Sequence, residues 1–313
     1  MSIAVLDLGT NTFNLLVAEK EGTSGFRIVH SSIIPVKLGR GGIGKNIILP
    51  DALDRAYDAL RRHSEVIAEH KPGKIIALAT SALRTAGNAK EFTDEVKKRF
   101  NIHIQVISGD KEAELIYYGV IASLKETAED FLILDIGGGS NEFIIGNSQG
   151  MKWKQSFPIG IARLIEKFPP SDPVTDAEIL NLEQLLEQEL QPLMDAVGHH
   201  KPQVLIGASG AFDTLASLLH VANPASYPRT GSYCSSISLD DFTGIFNTLI
   251  RSTLQERKNM KGLDPARIEM IVYAIVLIRF VINRLSVKRL MQSAFSLKEG
   301  VMWCWIKDIG CIG

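Results

Sequence analysis

Two short runs hold the residues best suited to chemistry. Asp7-Leu8-Gly9-Thr10-Asn11-Thr12 and Asp135-Ile136-Gly137-Gly138-Gly139-Ser140 each follow one apolar segment and lead into another. A tight turn of glycines and small hydroxyl residues lets several backbone N–H groups face one point and lets an anion approach closely. Thr10, Asn11 and Thr12 in the first run, and Gly137, Gly138, Gly139 and Ser140 in the second, are therefore candidate phosphate ligands. Asp7 and Asp135 end the incoming strands and are candidate ligands of Mg²⁺, which takes one or two carboxylates and completes its shell with phosphate oxygens and water. Either carboxylate could equally cap its own turn. One such turn is most often only a hairpin. Two at matching register point to related units with phosphate bound between them.

The match extends beyond the turns. Ile3–Val17 aligns without a gap to Phe131–Ile145, apolar segment for apolar segment. Each copy passes from its turn into a second strand and not a helix, so neither suits a dinucleotide fingerprint or a P-loop.

The elements that must position these turns follow from periodicity. In the first half, strands are expected over Ile3–Asp7, Leu15–Lys20 and Phe26–Lys37. A helix opens at Pro50, with Leu53, Tyr57, Leu60 and Ile67 on one face. Strand Ile75–Ala79, helix Ala89–Phe100, strand Ile102–Ile107 and helix Asp110–Ile121 then alternate, which predicts parallel strands with helical crossovers. In the second half, Phe131–Asp135 opens another β-rich segment. Helices over Asp176–Val197, Leu239–Thr253 and Pro265–Arg284 follow, with strands Val204–Ile206 and Leu290–Met291 between them. Arg84 comes shortly after strand Ile75–Ala79, and the carboxyl edge of such a sheet is where α/β folds place ligands; its planar fork suits phosphate. Glu112, just after Ser108-Gly109, reads by itself as a partner of a helix dipole. The glycine-rich basic stretch 37–45 is a connector or a lid.

Composition narrows the partners. The 313 residues carry 34 Lys+Arg against 35 Asp+Glu, so no basic coat for duplex nucleic acid or anionic membrane is expected. With 45% hydrophobic and 22% charged residues the chain is not disordered. Cys234, Cys304 and Cys311 form no CxxC pair, and no HExxH motif is present, which argues against zinc and suits a reducing compartment. The amino terminus lacks a basic leader, and the longest apolar run, Met270–Ile278, is far short of the roughly 20 residues of a membrane span. A cytoplasmic location is expected.

Seven motifs in order carry a resemblance. They are Asp7–Thr12, Val36-Lys37-Leu38-Gly39, Thr80–Asn88, Ile107–Ala113, Asp135–Ser140, Gly207-Ala208-Ser209-Gly210 and Lys298-Glu299-Gly300. Through them the chain resembles the exopolyphosphatase/guanosine pentaphosphate phosphohydrolase (Ppx/GppA) family, within the superfamily of actin, sugar kinases and heat-shock chaperone ATPase domains. The resemblance implies an α/β fold of two duplicated ribonuclease H-like domains with a cleft between them. The repeat places these at 1–122 and 123–294, with a terminal helix at about 295–313 returning to the first. It also implies metal-dependent removal of a terminal phosphoryl group from inorganic polyphosphate or guanosine pentaphosphate, and a homodimer. Glu112 would orient and deprotonate the attacking water, and Arg84, Arg267 and Lys298 would contact phosphate.

Several residues depart from the family pattern. Glu114 stands where an Arg is usual, Asn141 for Thr, Ile268 and Glu269 for Ala and Asp, and Lys298 for Arg. Two further readings stay open: a regulatory protein that binds nucleotide or polyphosphate with decayed catalysis, and a nucleotide-binding switch or kinase with Gly207–Gly210 beside adenosine.

Overall fold

The computed structural model describes residues 1–22, 25–228 and 233–310; Cys311 and the last two residues of the expected terminal helix lie outside them. Strand β1 (Ser2–Leu8) runs antiparallel to β2 (Thr12–Glu21), which runs antiparallel to β3 (Gly25–Pro35). On its other side β1 is parallel to β4 (Lys74–Ala79), and β4 is parallel to β5 (Ile104–Val106). The sheet order is β3-β2-β1-β4-β5. Helices α1 (Pro50–His70), α2 (Ser81–Thr85), α3 (Ala89–Phe100) and α4 (Gly109–Ser123) make the connections. Proline in its first turn opens α1, and Lys71 in the left-handed region (φ 44°) closes it.

The second half repeats the plan. Strands β6 (Phe131–Ile136), β7 (Asn141–Asn147) and β8 (Gly150–Phe157) form the antiparallel meander. Next come α5 (Ile161–Lys167), α6 (Asp176–Glu189), α7 (Gln191–His200), β9 (Val204–Ala208) and α8 (Gly210–Ala222). The chain continues through β10 (Cys234–Ile237), α9 (Leu239–Arg251), α10 (Leu254–Asn259), α11 (Ile271–Arg284), β11 (Arg289–Ser293) and α12 (Leu297–Lys307). The order β10-β11-β9-β6-β7-β8 is the first sheet's order with one strand added at the edge. Two mixed sheets of one duplicated topology make this a two-domain ribonuclease H-like fold.

Both hairpins are apolar on each face because both faces are covered. Every residue of β6 and β7 is buried. Leu6, Leu8, Phe13 and Leu15 of the first hairpin share one core with α1, and Leu132, Leu134 and Phe143 share another with α11. A middle layer joins Ile3, Val5 and Leu16 to Ile133, Ile144 and Ile206 through α4 and α12. Those two helices touch backbone to backbone: a side chain on Gly119 would collide with the Ser296 carbonyl, and one on Gly300 with the Leu115 carbonyl.

Four expectations about elements need correction. The helix expected over Asp176–Val197 is two helices, because Pro192 has no N–H to continue the first and sits instead in the opening turn of α7. Pro265–Met270 forms successive turns, with Arg267 N bonded to Asp264 O (2.8 Å) and Met270 N to Arg267 O (2.9 Å), so α11 starts only at Ile271. Strand β3 stops at Pro35 because Val36 N and Lys37 N both turn to Asn11 O (2.8 Å each). Helices α2, α5, α8 and α10 and strand β10 were not expected; α8 starts immediately after Ser209, whose φ of 67° is unfavourable for a serine. Among the described residues no helix is long and apolar enough to cross a membrane.

Candidate active site

The two turns close in the same way. Gly9 N donates to Thr12 O (3.0 Å) and Gly137 N donates to Ser140 O (3.1 Å). The second turn rests on the start of α5, where Ile161 N donates to Gly137 O (3.0 Å) and Ala162 N to Gly138 O (2.8 Å). The Arg163 Nε donates to Gly139 O (3.0 Å). Three successive carbonyls are thereby drawn to one side. In a trans peptide the following N–H points the opposite way, so the amides of Gly138, Gly139 and Ser140 face away from α5. Gly160 must be glycine, because a Cβ there would strike the Gly139–Ser140 backbone.

The turns meet across the domains. Gly138 lies against the Asn11 amide, and Gly139 against the Ser81 and Thr10 hydroxyls, with no room for a Cβ on either glycine. Asn11 Nδ2 also donates to Met270 Sδ at 3.2 Å. Between the turns is a cleft of ≈ 250 Å³, lined by Asp7, Thr10, Asn11, Thr12, Glu112, Asp135, Gly137, Gly138, Gly139, Ser140, Arg267 and Lys298. Those are all the residues expected at the site except Arg84. Arg84 stands at the wall: Nη1 donates to Glu112 Oε2 (2.9 Å) and Ile107 O (3.1 Å), and Nη2 donates to Ser140 Oγ (3.3 Å).

Glu112 is placed by the start of α4, where the Ser108 hydroxyl caps the helix by accepting from Lys111 N (3.1 Å). Burial raises its carboxyl well above the usual range, the Glu142 carboxylate adds to this, and the Arg84 guanidinium opposes it. Asp135 is also raised by burial, while the Ser296 hydroxyl, donating to Oδ2 at 2.5 Å, pulls it back. Burial pushes Asp7 up to about 6, against the Asn14 amide that donates to it at 2.9 Å. Burial alone would lower Lys298, but Glu299, whose Oε1 is 3.0 Å from its Nζ, together with Asp7 and Asp213, holds the ammonium above its usual value.

Arg267 lies flat on Gly210, where any side chain would collide with its guanidinium. Its buried Nε has no hydrogen-bond partner among the described residues. Buried donors are nearly always satisfied, which makes this one an exception, and Arg267 is among the residues that line the cleft. The neighbouring Glu269 pairs instead with Lys37 at 2.8 Å. Glu114 pairs with Lys111 (3.1 Å) and Lys154 (3.5 Å), away from the cleft lining. Asn141 donates to Ile159 O (2.8 Å) and leaves its Oδ1 without a partner among the described residues.

Two acidic residues at the site were not expected. Glu142 is buried, its Oε1 accepts from the Ser140 hydroxyl (2.6 Å) and the Ser156 hydroxyl (2.7 Å), and burial with the Asp135 charge pushes it up to about 7. Its signal lay in the repeat, where it aligns with Asn14 and pairs in register with Asp135 as Asn14 does with Asp7. Asp213, on α8, lines the cleft, accepts from Gln292 Nε2 (2.8 Å) and is pushed up to about 6 by burial.

Known proteins share this architecture. A crystal structure of an exopolyphosphatase from Cytophaga hutchinsonii superposes with a TM-score of 0.96 at 36% identity, over 100% of both chains. Exopolyphosphatase 2 of Mycobacterium tuberculosis is 26% identical over 311 residues, 96% of this chain and 97% of that protein. A bifunctional 3-dehydroquinate synthase/phosphatase of Fusobacterium nucleatum is 28% identical over 290 residues, 90% of this chain, and the match spans only 43% of that longer protein. The model of the Ppx/GppA phosphatase family matches residues 16–308, and the chain belongs to that family.

Proposed function

We propose that the protein is a Mg²⁺-dependent exopolyphosphatase that hydrolyses the terminal phosphoanhydride of inorganic polyphosphate. The observation that carries this reading is the pair of phosphate-sized turns facing each other around the Arg84–Glu112 pair, with the unpartnered Arg267 Nε beside them. Membership of the Ppx/GppA family and likeness to proteins named exopolyphosphatase support it.

The terminal phosphoryl group would sit against the amides of Gly138–Ser140, with Arg84 and Arg267 on its oxygens. A water on its far side would give a proton to Glu112 as its oxygen bonds to phosphorus. The bridging P–O bond breaks, and orthophosphate and a chain one unit shorter leave. A carboxyl raised by burial is a better base near neutrality than an exposed one. Asp7 and Asp135 fit a hard divalent cation: Asp135 is buried and Asp7 half-buried, the Asp135 charge helps raise Asp7, and both bear oxygen donors only. No group of three or more His, Cys, Asp or Glu among the described residues is arranged to hold a metal, so phosphate oxygens and water would fill the remaining positions. Mg²⁺, when bound, would neutralise charge on the phosphate oxygens.

The test is orthophosphate release by the purified protein from polyphosphate and, in parallel, from guanosine pentaphosphate, with Mg²⁺ and with chelator. The reading predicts chelator-sensitive release from polyphosphate at the higher kcat/KM. Faster turnover of the pentaphosphate would assign the same site to the second substrate. Tight polyphosphate binding without release would mark decayed catalysis. A cytoplasmic homodimer is part of this reading, and light scattering checks the dimer.

A further inference from the structure

We propose that Arg163 is a positioning residue that makes closure of the two domains and the setting of the Gly137–Ser140 turn a single event. Its guanidinium joins three segments. Nε donates to Gly139 O (3.0 Å) of the phosphate-facing turn, Nη1 to Ile43 O (3.0 Å), and Nη2 to the Thr85 hydroxyl (2.9 Å). Ile43 belongs to the glycine-rich stretch of the first domain, and Thr85 follows Arg84 directly. The side chain thus grips the second domain's turn from behind while holding two pieces of the first domain across the cleft.

Three features favour coupling over a passive contact. All three hydrogen-bond acceptors are neutral, and the nearest opposing charge, Glu166, acts on Arg163 without a direct ion pair among the described residues, so the direction of the fork is set by the three acceptors. Only a rigid planar fork reaches three acceptors in fixed directions, which a lysine cannot reproduce. One turn further along α5, Glu166 Oε2 accepts from Gly44 N at 3.0 Å, so the glycine-rich stretch is docked on this helix at two points.

The consequence is geometric. The Gly139 carbonyl and the Ser140 N–H belong to one peptide plane. With Arg163 holding that carbonyl, the Ser140 amide faces the cleft. If the first domain moves off α5 and takes both Ile43 and Thr85 with it, the guanidinium loses two of its three acceptors and its hold on Gly139 loosens. The plane is then free to turn and the amide leaves the phosphate position. An open cleft would bind phosphate poorly at this turn, and a closed one would present it ready-made.

Amide hydrogen exchange and turnover, measured on the full chain, test this together. The expected result for Arg163→Ala and Arg163→Lys is at least tenfold faster exchange over residues 39–46, unchanged exchange in the core of α11, and at least tenfold lower kcat with KM changed less. Thr85→Val, which removes one acceptor only, should shift both readouts the same way by a smaller factor, and it carries the test if the Arg163 variants do not fold. Faster exchange with unchanged kcat, or lower kcat with unchanged exchange, would overturn the coupling. The turnover arm rests on the exopolyphosphatase reading, whereas the exchange arm does not. Absence of phosphate release by the unaltered protein would therefore defeat that reading and leave exchange over 39–46 and 137–140 to decide the role of Arg163.

Discussion

The two hairpins share a backbone and differ in chemistry. In both, a Gly N–H closes the turn on the carbonyl of a hydroxyl residue three positions on, at 3.0 and 3.1 Å. In both, the aspartate that ends the first strand faces the same register position on the second: Asp7 opposite Asn14, Asp135 opposite Glu142. The first copy sets an amide against the carboxylate, with Nδ2 donating at 2.9 Å, and the pair is complete. The second sets one carboxyl against another and runs on from Glu142 through Ser140 to Arg84 and Glu112. One Asn-for-Glu difference between the copies thus leaves the first aspartate facing a neutral amide and ties the strand pair of the second, through Ser140, to the Arg84–Glu112 pair of the first half.

The largest effect should come from making the second copy resemble the first. Glu142→Asn removes the carboxyl that faces Asp135, and phosphate release from polyphosphate is expected to fall by about 10²–10⁴-fold with little loss of binding. The opposite change, Asn14→Glu, adds a further acid directly against Asp7 and should lower the melting temperature of the metal-free protein before it alters the turnover of metal-loaded enzyme. Next, Arg267→Lys keeps a charge but loses the fork on Gly210. A lost charge-assisted hydrogen bond is worth about 1.5–3 kcal/mol, so KM for polyphosphate should rise about tenfold or more while kcat changes less.

Titration of the metal-free protein gives a third check on the contrast. Asp7 and Asp213 are pushed up to about 6 and Glu142 to about 7, above ordinary values of 3.8 and 4.5. A raised carboxyl makes the folded state bind protons more readily than the unfolded chain. Its stabilising contribution is full below the unfolded value and is lost as pH rises through the folded one. Melting temperature in chelator should therefore fall between about pH 4 and pH 7, and Glu142→Gln should flatten part of that fall. A melting temperature that climbs over this window would contradict the burial of these acids. The smallest effect is expected from Ser156→Ala, which removes one of two hydroxyls on Glu142 and should cost about 0.5–1.5 kcal/mol with modest loss of rate.

The sequence made some of this legible and hid the rest for definite reasons. The two turns could be read because glycine and hydroxyl residues recur there at one spacing, and the duplicated sheet order follows from the same repeat. Arg84 and Glu112 were named through motifs, while their direct pairing at 2.9 Å needed the fold, since 28 residues separate them. Glu142 stood in the repeat unassigned, because its significance depends on cross-strand register with Asp135. Arg163 gave no signal: it sits on a seven-residue helix, and its partners come from three distant segments. The breaks around Pro192 and before Ile271 were missed because apolar spacing continues through them while the hydrogen-bond ladder does not.

In the proposed reaction Glu112, raised by burial and held by Arg84, takes the proton from the attacking water. This step is tested most directly by single-turnover phosphate release from polyphosphate by Glu112→Gln, which keeps the shape and the contact to Arg84 but cannot accept a proton. The expected rate is lower by about 10²–10⁴-fold with polyphosphate affinity retained. Release at the unaltered rate would contradict it.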